Sequence, residues 1–235
     1  MSEMSTDDAR IEYAISHTQV LRPPKQTLST FGTTNIYYYL LTEPSYKELV
    51  EGEEETVVRE GRVRAERPRV VTPSYLINVE GFSEHAKRYL EMIAREYGTN
   101  TPGLFYGYKN EPKELNIVSS GMDSVVRNLD EKIDKEGNRL ATIIKGIDQL
   151  WDVSLLKFIF DMTRYSVGSN ITELGRRGLL DVDRKGVPME ARQSIEQLFD
   201  EVKNGELDPS ALKMELDRWG LFEEYQDRFF RFFGK

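Results

Sequence analysis

The chain contains no cysteine. Disulfides, thiol nucleophiles and zinc or iron–sulfur centres held by thiolates are therefore excluded as devices of this polypeptide. Histidine is nearly as scarce: His17 and His85 are the two in 235 residues. A catalytic or metal-binding histidine needs a partner at workable spacing, such as a second histidine at i+4 or a Glu-x-x-His pair. His85 directly follows Glu84, so the two side chains diverge on a helix, and His17 stands in a polar segment. Both are read as structural or solvated. No run approaches the roughly 18 apolar residues that span a bilayer, and the densest, 155–160, is broken by Lys157. The first ten residues are polar and lack the apolar stretch of a secretory leader, so a cytoplasmic location without membrane attachment is expected. Neither a P-loop nor Gly-x-Gly-x-x-Gly occurs. Ser119-Ser120-Gly121 lacks the Gly-x-Ser-x-Gly elbow of serine hydrolases. The expectation is no cofactor, no metal and no assigned catalytic residue.

What is present fits a packed protein. Hydrophobic residues make up 39% and charged residues 31%, outside the range of disordered chains. Aromatics reach 11%, and each brings a large apolar area to a core. A net charge of -8 argues against a broad basic nucleic-acid surface.

The character of the sequence changes near residue 80. Residues 1–10 read as a tail. Residues 11–80 are rich in β-branched and aromatic side chains and broken by prolines, which exclude a long helix. Residues 36–41 (Ile-Tyr-Tyr-Tyr-Leu-Leu) read as a strand or a buried short helix. Residues 51–55 form an acidic loop. Residues 56–59 and 62–65 flank Glu60-Gly61 and predict a hairpin, with 69–72 as a third strand. Beyond Gly81 the period is helical, with Ser83 as an N-cap and Gly98 as a stop. Residues 99–114 read as a loop, and helical patterns recur at 119–133 and 138–149. Residues 151–167 are apolar on nearly every side and are read as the central spine. Residues 187–235 form a helical cluster punctuated by Pro188, Gly205, Asp208-Pro209 and Gly220. The fold class is therefore α+β and predominantly helical, a small N-terminal hairpin or meander region packed on a helical body at 81–235, in one compact unit.

Five features are candidates for chemistry or contact. Arg59, Arg62, Arg64, Arg67 and Arg69 crowd the predicted hairpin. Residues two apart on a strand share a face, so Arg62 and Arg64 form a comb that could grip phosphates or pair with the acidic loop. Arg176 and Arg177, followed by Arg184 and Lys185, lie in a helix–turn–strand pattern whose short helix is 171–174. The element types match those near the recognition helix of a winged helix-turn-helix. Asp148 and Asp152 are one helical turn apart beside an apolar segment that could raise a carboxylate pKa. Gly103, Phe105, Tyr106, Gly107 and Tyr108 form an aromatic loop, read as pinned to the core by its rings. Finally, Phe229, Phe230, Phe232 and Phe233 crowd the last helix on more than one side, which suits a sandwiched helix or a partner surface.

The function expected from these features is non-catalytic: contacts with a protein partner or a second copy. Nucleic-acid binding through Arg62, Arg64, Arg67, Arg69, Arg176 and Arg177 is the alternative. A carboxylate-based, metal-assisted enzyme using Asp148 and Asp152 is a third reading.

Overall fold

The computed structural model describes residues 6–46, 54–79 and 84–232. The chain is α+β, with eight α-helices and seven strands among the described residues. It forms two compact units, each built from two separate stretches of sequence: Met1–Arg67 with Tyr106–Asn170, and Pro68–Phe105 with Ile171–Lys235.

The first unit begins with helix α1 (Thr6–His17), so the expected tail at 1–10 is helical from Thr6 onward. Five strands follow in one sheet: β1 (Gln19–Arg22), β2 (Thr34–Thr42), β3 (Thr56–Ala65), β6 (Tyr108–Val118) and β7 (Ala141–Lys145). Their order is β1-β7-β2-β3-β6, with β2 and β7 parallel and the other neighbours antiparallel. Helix α4 (Met122–Glu136) covers one face and α5 (Trp151–Arg176) the other.

This three-layer arrangement explains why β2 reads as an unbroken apolar run. Ile36, Tyr38 and Leu40 pack with Leu155, Phe158, Ile159 and Met162 of α5. Tyr39 and Leu41 pack with Val125, Leu129 and Ile133 of α4. A central strand buried on both faces has no polar side to alternate with.

The predicted hairpin at 56–65 is instead one continuous strand. Gly61 is not among the glycines with positive φ, so the chain does not turn there. Gly61 serves a different purpose. It lies opposite Tyr38 in the ladder, and the space its missing side chain leaves is filled by the Tyr38 ring. The Tyr38 hydroxyl donates to Asn110 at 3.1 Å. On its other side the β3–β6 ladder shifts register at Glu60/Gly61, a bulge that leaves Lys113 unpaired in the ladder.

The expected helix at 138–149 is also corrected. Residues 141–145 are β7, followed by a single 3-10 turn at Asp148–Leu150. Ala141, Thr142, Ile143 and Ile144 are all buried, so this interior strand presents the same short apolar run as a buried helix. The expected loop at 99–114 holds β5 and most of β6. Residues 171–174 are the final turns of α5 rather than a separate helix. The spine is apolar all round in sequence but not buried all round: Leu156, Phe160 and Tyr165 are exposed.

In the second unit, β4 (Arg69–Val71) and β5 (Gly103–Phe105) make a two-stranded sheet, with helices α2 (Pro73–Ile77) and α3 (Glu84–Tyr97) between them in sequence. Helices α6 (Met189–Lys203), α7 (Pro209–Arg218) and α8 (Phe222–Phe230) enclose Ile195, Phe199, Leu212, Leu216, Leu221 and Phe229. Their boundaries fall at the expected punctuation. Asp208 caps α7 by accepting from the Ser210 amide, and Gly205 and Gly220 adopt φ of 75° and 64°. Ser83, three of the acidic-loop residues (51–53) and Phe233 lie outside the described residues.

Candidate functional site

The arginine comb is taken apart by the fold. Arg59 points to the α5 face, where it bonds Asp148 at 2.8 Å and stacks on Trp151 at 5.6 Å. Arg69, in the second unit, pairs with the buried carboxylate of Glu215, which also accepts from the Tyr75 hydroxyl and the Trp219 indole at 3.1 Å each. Neither is available to a phosphate. Arg67 is half-buried. Arg62 and Arg64 do share a face, as strand parity predicts. Arg62 is bonded to Glu111 through Nε at 2.8 Å, while Arg64 is exposed and lies across from Lys109. Tyr37 is the register partner of Arg62 and is 41% exposed. Tyr37, Arg62 and Glu111 border a hollow of about 400 Å³ that Tyr39 and Lys113 also line.

Arg176 and Arg177 are exposed at the end of α5. The segment after them is a tight turn closed by a Val182–Pro188 bridge. Asp183 accepts from the Lys185 and Val187 amides and from Arg192. Burial opposes the charge on Asp183, but these bonds outweigh it and hold the carboxyl below its usual range.

Asp148 and Asp152 do not converge. Asp148 accepts from Thr42, Arg59 and the Ser45 amide, and Asp152 bonds the adjacent Val153 amide. The expected rise in the Asp148 pKa is reversed: burial pushes it up, but the bonds from Thr42, Arg59 and Ser45 bring it below the ordinary value. Among the described residues no group of three side chains could hold a metal ion. Asp148 lines a larger crevice of about 670 Å³ at the carboxyl ends of the parallel strands β2 and β7, with His17, Glu43 and Lys145. Ligands favour such a position in open α/β sheets. His17 is held there by stacking on Tyr13 at 3.9 Å and by the Tyr13 carbonyl.

The aromatic loop is divided between the units: Gly103 and Phe105 belong to β5 of the second unit, with Phe105 52% exposed, while Tyr106 and Tyr108 are fastened to the first unit's core. Tyr106 donates to Asn170 at 2.8 Å, Tyr108 bonds Thr163 at 2.5 Å, and both rings pack on the α5-face cluster. Burial pushes the Tyr106 hydroxyl up to about 12. Of the phenylalanines at the end of the chain, Phe229 is buried and Phe232 is half-buried against the helical cluster. Phe230 is 55% exposed.

The feature that the sequence reading missed is the sheet edge. Strand β6 is 11 residues long and, among the described residues, pairs on one side only, with β3. From Pro112 to Val118 every residue is exposed. Leu115 lies opposite Arg59 and Ile117 opposite Val57, so both side chains are on the α5 face. They are 58% and 51% exposed. On α5, Leu156 and Phe160 follow the spacing 156–160–163, so they share a flank with Thr163, whose hydroxyl meets Tyr108 of β6. They are 64% and 61% exposed. Exposed apolar side chains therefore stand on the α5 side of this edge, two on β6 and two on the flank of α5. Comparison with known proteins returns no matching family, no matching curated sequence and no matching solved structure.

Proposed function

We propose that this chain is a non-catalytic protein that works in the cytoplasm through contacts with another polypeptide, and that the β6 edge with the adjoining flank of α5 is its contact surface. One observation carries the reading: four large apolar side chains, Leu115 and Ile117 on β6 and Leu156 and Phe160 on α5, are more than half exposed on the side of a strand that has one open edge among the described residues. Isolated surface apolars are ordinary, but a group of them along one edge marks an interaction site. The titratable groups proposed for catalysis are already engaged in ion pairs and backbone bonds, which also favours this reading.

The test is a photoreactive residue placed at Leu156 in cells. A discrete covalent adduct that disappears when Ile117→Lys is added supports the surface. The absence of any adduct at 156, with adduct formation at exposed Tyr165 no different, overturns it.

A second reading, binding of single-stranded nucleic acid, is favoured by Arg62, Arg64 and Lys109 sharing a sheet face with exposed Tyr37. Basic groups that track a backbone beside a ring for stacking are the required parts. Fluorescence anisotropy with a labelled oligonucleotide at low salt tests it. No binding, or binding unchanged by Arg64→Glu with Lys109→Glu, ends it.

A further inference from the structure

The contact surface described above leaves open what occupies it, and β6 itself narrows the choice. Soluble proteins blunt free edges with proline, lysine and bulges. All three devices are present in β6, and all lie before Glu114: Pro112, Lys113 and the bulge opposite Glu60/Gly61, whose extra residue is Lys113. The second half, Glu114 to Val118, pairs regularly with β3 and carries none of them. The unprotected half is also the half that bears Leu115 and Ile117. An edge defended along part of its length and left open where it is apolar is an edge kept for pairing.

We propose that this open half pairs with the same segment of a second copy, antiparallel about a two-fold axis perpendicular to the sheet; the proposal rests on the contact reading above. Two-fold symmetry restricts the register, because the central residue faces its own copy. Glu114 at the centre would set like charges opposite each other. Centring on Asn116 uses all five regular residues: Asn116 faces Asn116 of the second copy, Leu115 faces Ile117 in both directions, and Glu114 faces Val118. The two Leu–Ile pairs then lie on the α5 face, the face on which Leu156 and Phe160 are also exposed. The four side chains expose roughly 400 Å² per copy, about half of what each partner contributes to a standard stable interface, before any backbone pairing is counted.

The absence of cysteine makes the register directly testable. Asn116→Cys places a single thiol opposite its own counterpart. Cross-strand Cβ atoms are about 4.5–5.5 Å apart, within a small shift of the distance a disulfide spans. Lys109→Cys, equally exposed, would lie more than about 40 Å from its counterpart in this register. Expected are a solution mass that doubles with concentration in sedimentation velocity, an intermolecular disulfide at 116 but not at 109 under mild oxidation, and at least a roughly ten-fold weaker association for Ile117→Lys with an unchanged circular dichroism spectrum.

A monomer at all concentrations overturns the proposal. So does a dimer that Ile117→Lys leaves intact, or one in which Lys109→Cys cross-links as readily as Asn116→Cys. The adduct at Leu156 separates the two levels. An adduct at twice the chain mass fits self-pairing; an adduct with a different protein, from a chain that is monomeric in solution, overturns self-pairing and leaves the contact reading standing; no adduct removes both.

Discussion

Gly61→Ala should be among the more damaging single-methyl additions in the first unit, because of one ring. A methyl carbon built on Gly61 would lie 2.8 Å from Cε1 of Tyr38 and closer still to Cζ and the hydroxyl. Tyr38 is 1% exposed, packed with Leu155 and Phe158 in the same cluster, and tethered to Asn110. Overpacking of this kind costs roughly 1–3 kcal/mol. Displacing the hydroxyl from Asn110 adds about 1 kcal/mol. The reduced freedom of the unfolded chain returns about 0.4–1 kcal/mol. The net loss is then about 2 kcal/mol, which with a urea slope of about 2 kcal/mol per molar moves the midpoint down by about 1 M. The chain has two tryptophans, Trp151 and Trp219. A Trp219→Phe background leaves Trp151 as the fluorescence reporter of the first unit. The decisive comparison is the same substitution in a Tyr38→Leu background, where the obstructing ring is gone and alanine should be neutral or mildly stabilising. An unchanged midpoint in the parent, or an equal loss with and without Tyr38, would refute the steric account.

Three further outcomes follow from the ion pairs and the helical cluster. Glu215→Ala leaves Arg69, Tyr75 and Trp219 without their shared acceptor, and should lower the stability of the second unit by roughly 3–5 kcal/mol, read from Trp219 fluorescence in a Trp151→Phe background. Asp148 and Asp183 are held below the ordinary carboxylate pKa. The stability they contribute is thus fully present above the unfolded value of about 3.9 and lost as pH falls through their lower folded values; Asp148→Asn should flatten the acid limb of a melting-temperature profile for the first unit. Phe229→Ala should cost roughly 3–5 kcal/mol, whereas Phe230→Ala, at a half-exposed position, should cost less than about 1 kcal/mol; equal losses in thermal unfolding would contradict their different burial.

Helices α6 to α8 were legible because glycine, proline and aspartate act locally: a cap or a left-handed stop is decided within a few residues. Strand β2 was legible as an apolar run, though its type was not. Strand β7 was hidden because an interior strand flanked by helices on both faces offers no alternation, and its five residues are indistinguishable from a buried helical turn. The opposite problem concealed β6. With one half-buried ring at Tyr108 and almost nothing else inward, its sequence carries little core signal, yet Glu114-Leu115-Asn116-Ile117 does alternate and was the one available clue. For the arginines, parity along a strand correctly placed Arg62 and Arg64 together. It could not reveal that Arg59 meets a carboxylate 89 residues away or that Arg69 meets one 146 residues away, because such pairings are decided by topology and not by local pattern.

The interleaving of the two units carries a consequence for how the chain can be made and divided. Neither unit is a contiguous segment, so no truncation yields either of them alone: a chain ending at residue 170 contains all of the first unit together with an orphaned 68–105. During synthesis strands β2 and β3 are complete long before β6 and β7, which close the sheet, leave the ribosome, while β4 and β5 wait for α6 to α8. Yet the chain leaves and re-enters the first unit at neighbouring points, since the Glu66 amide donates to the Gly107 carbonyl at 2.9 Å. A short turn joining residues 67 and 106, in a chain ending at residue 170, would therefore make the first unit a single uninterrupted segment, with the β6 edge retained at its border.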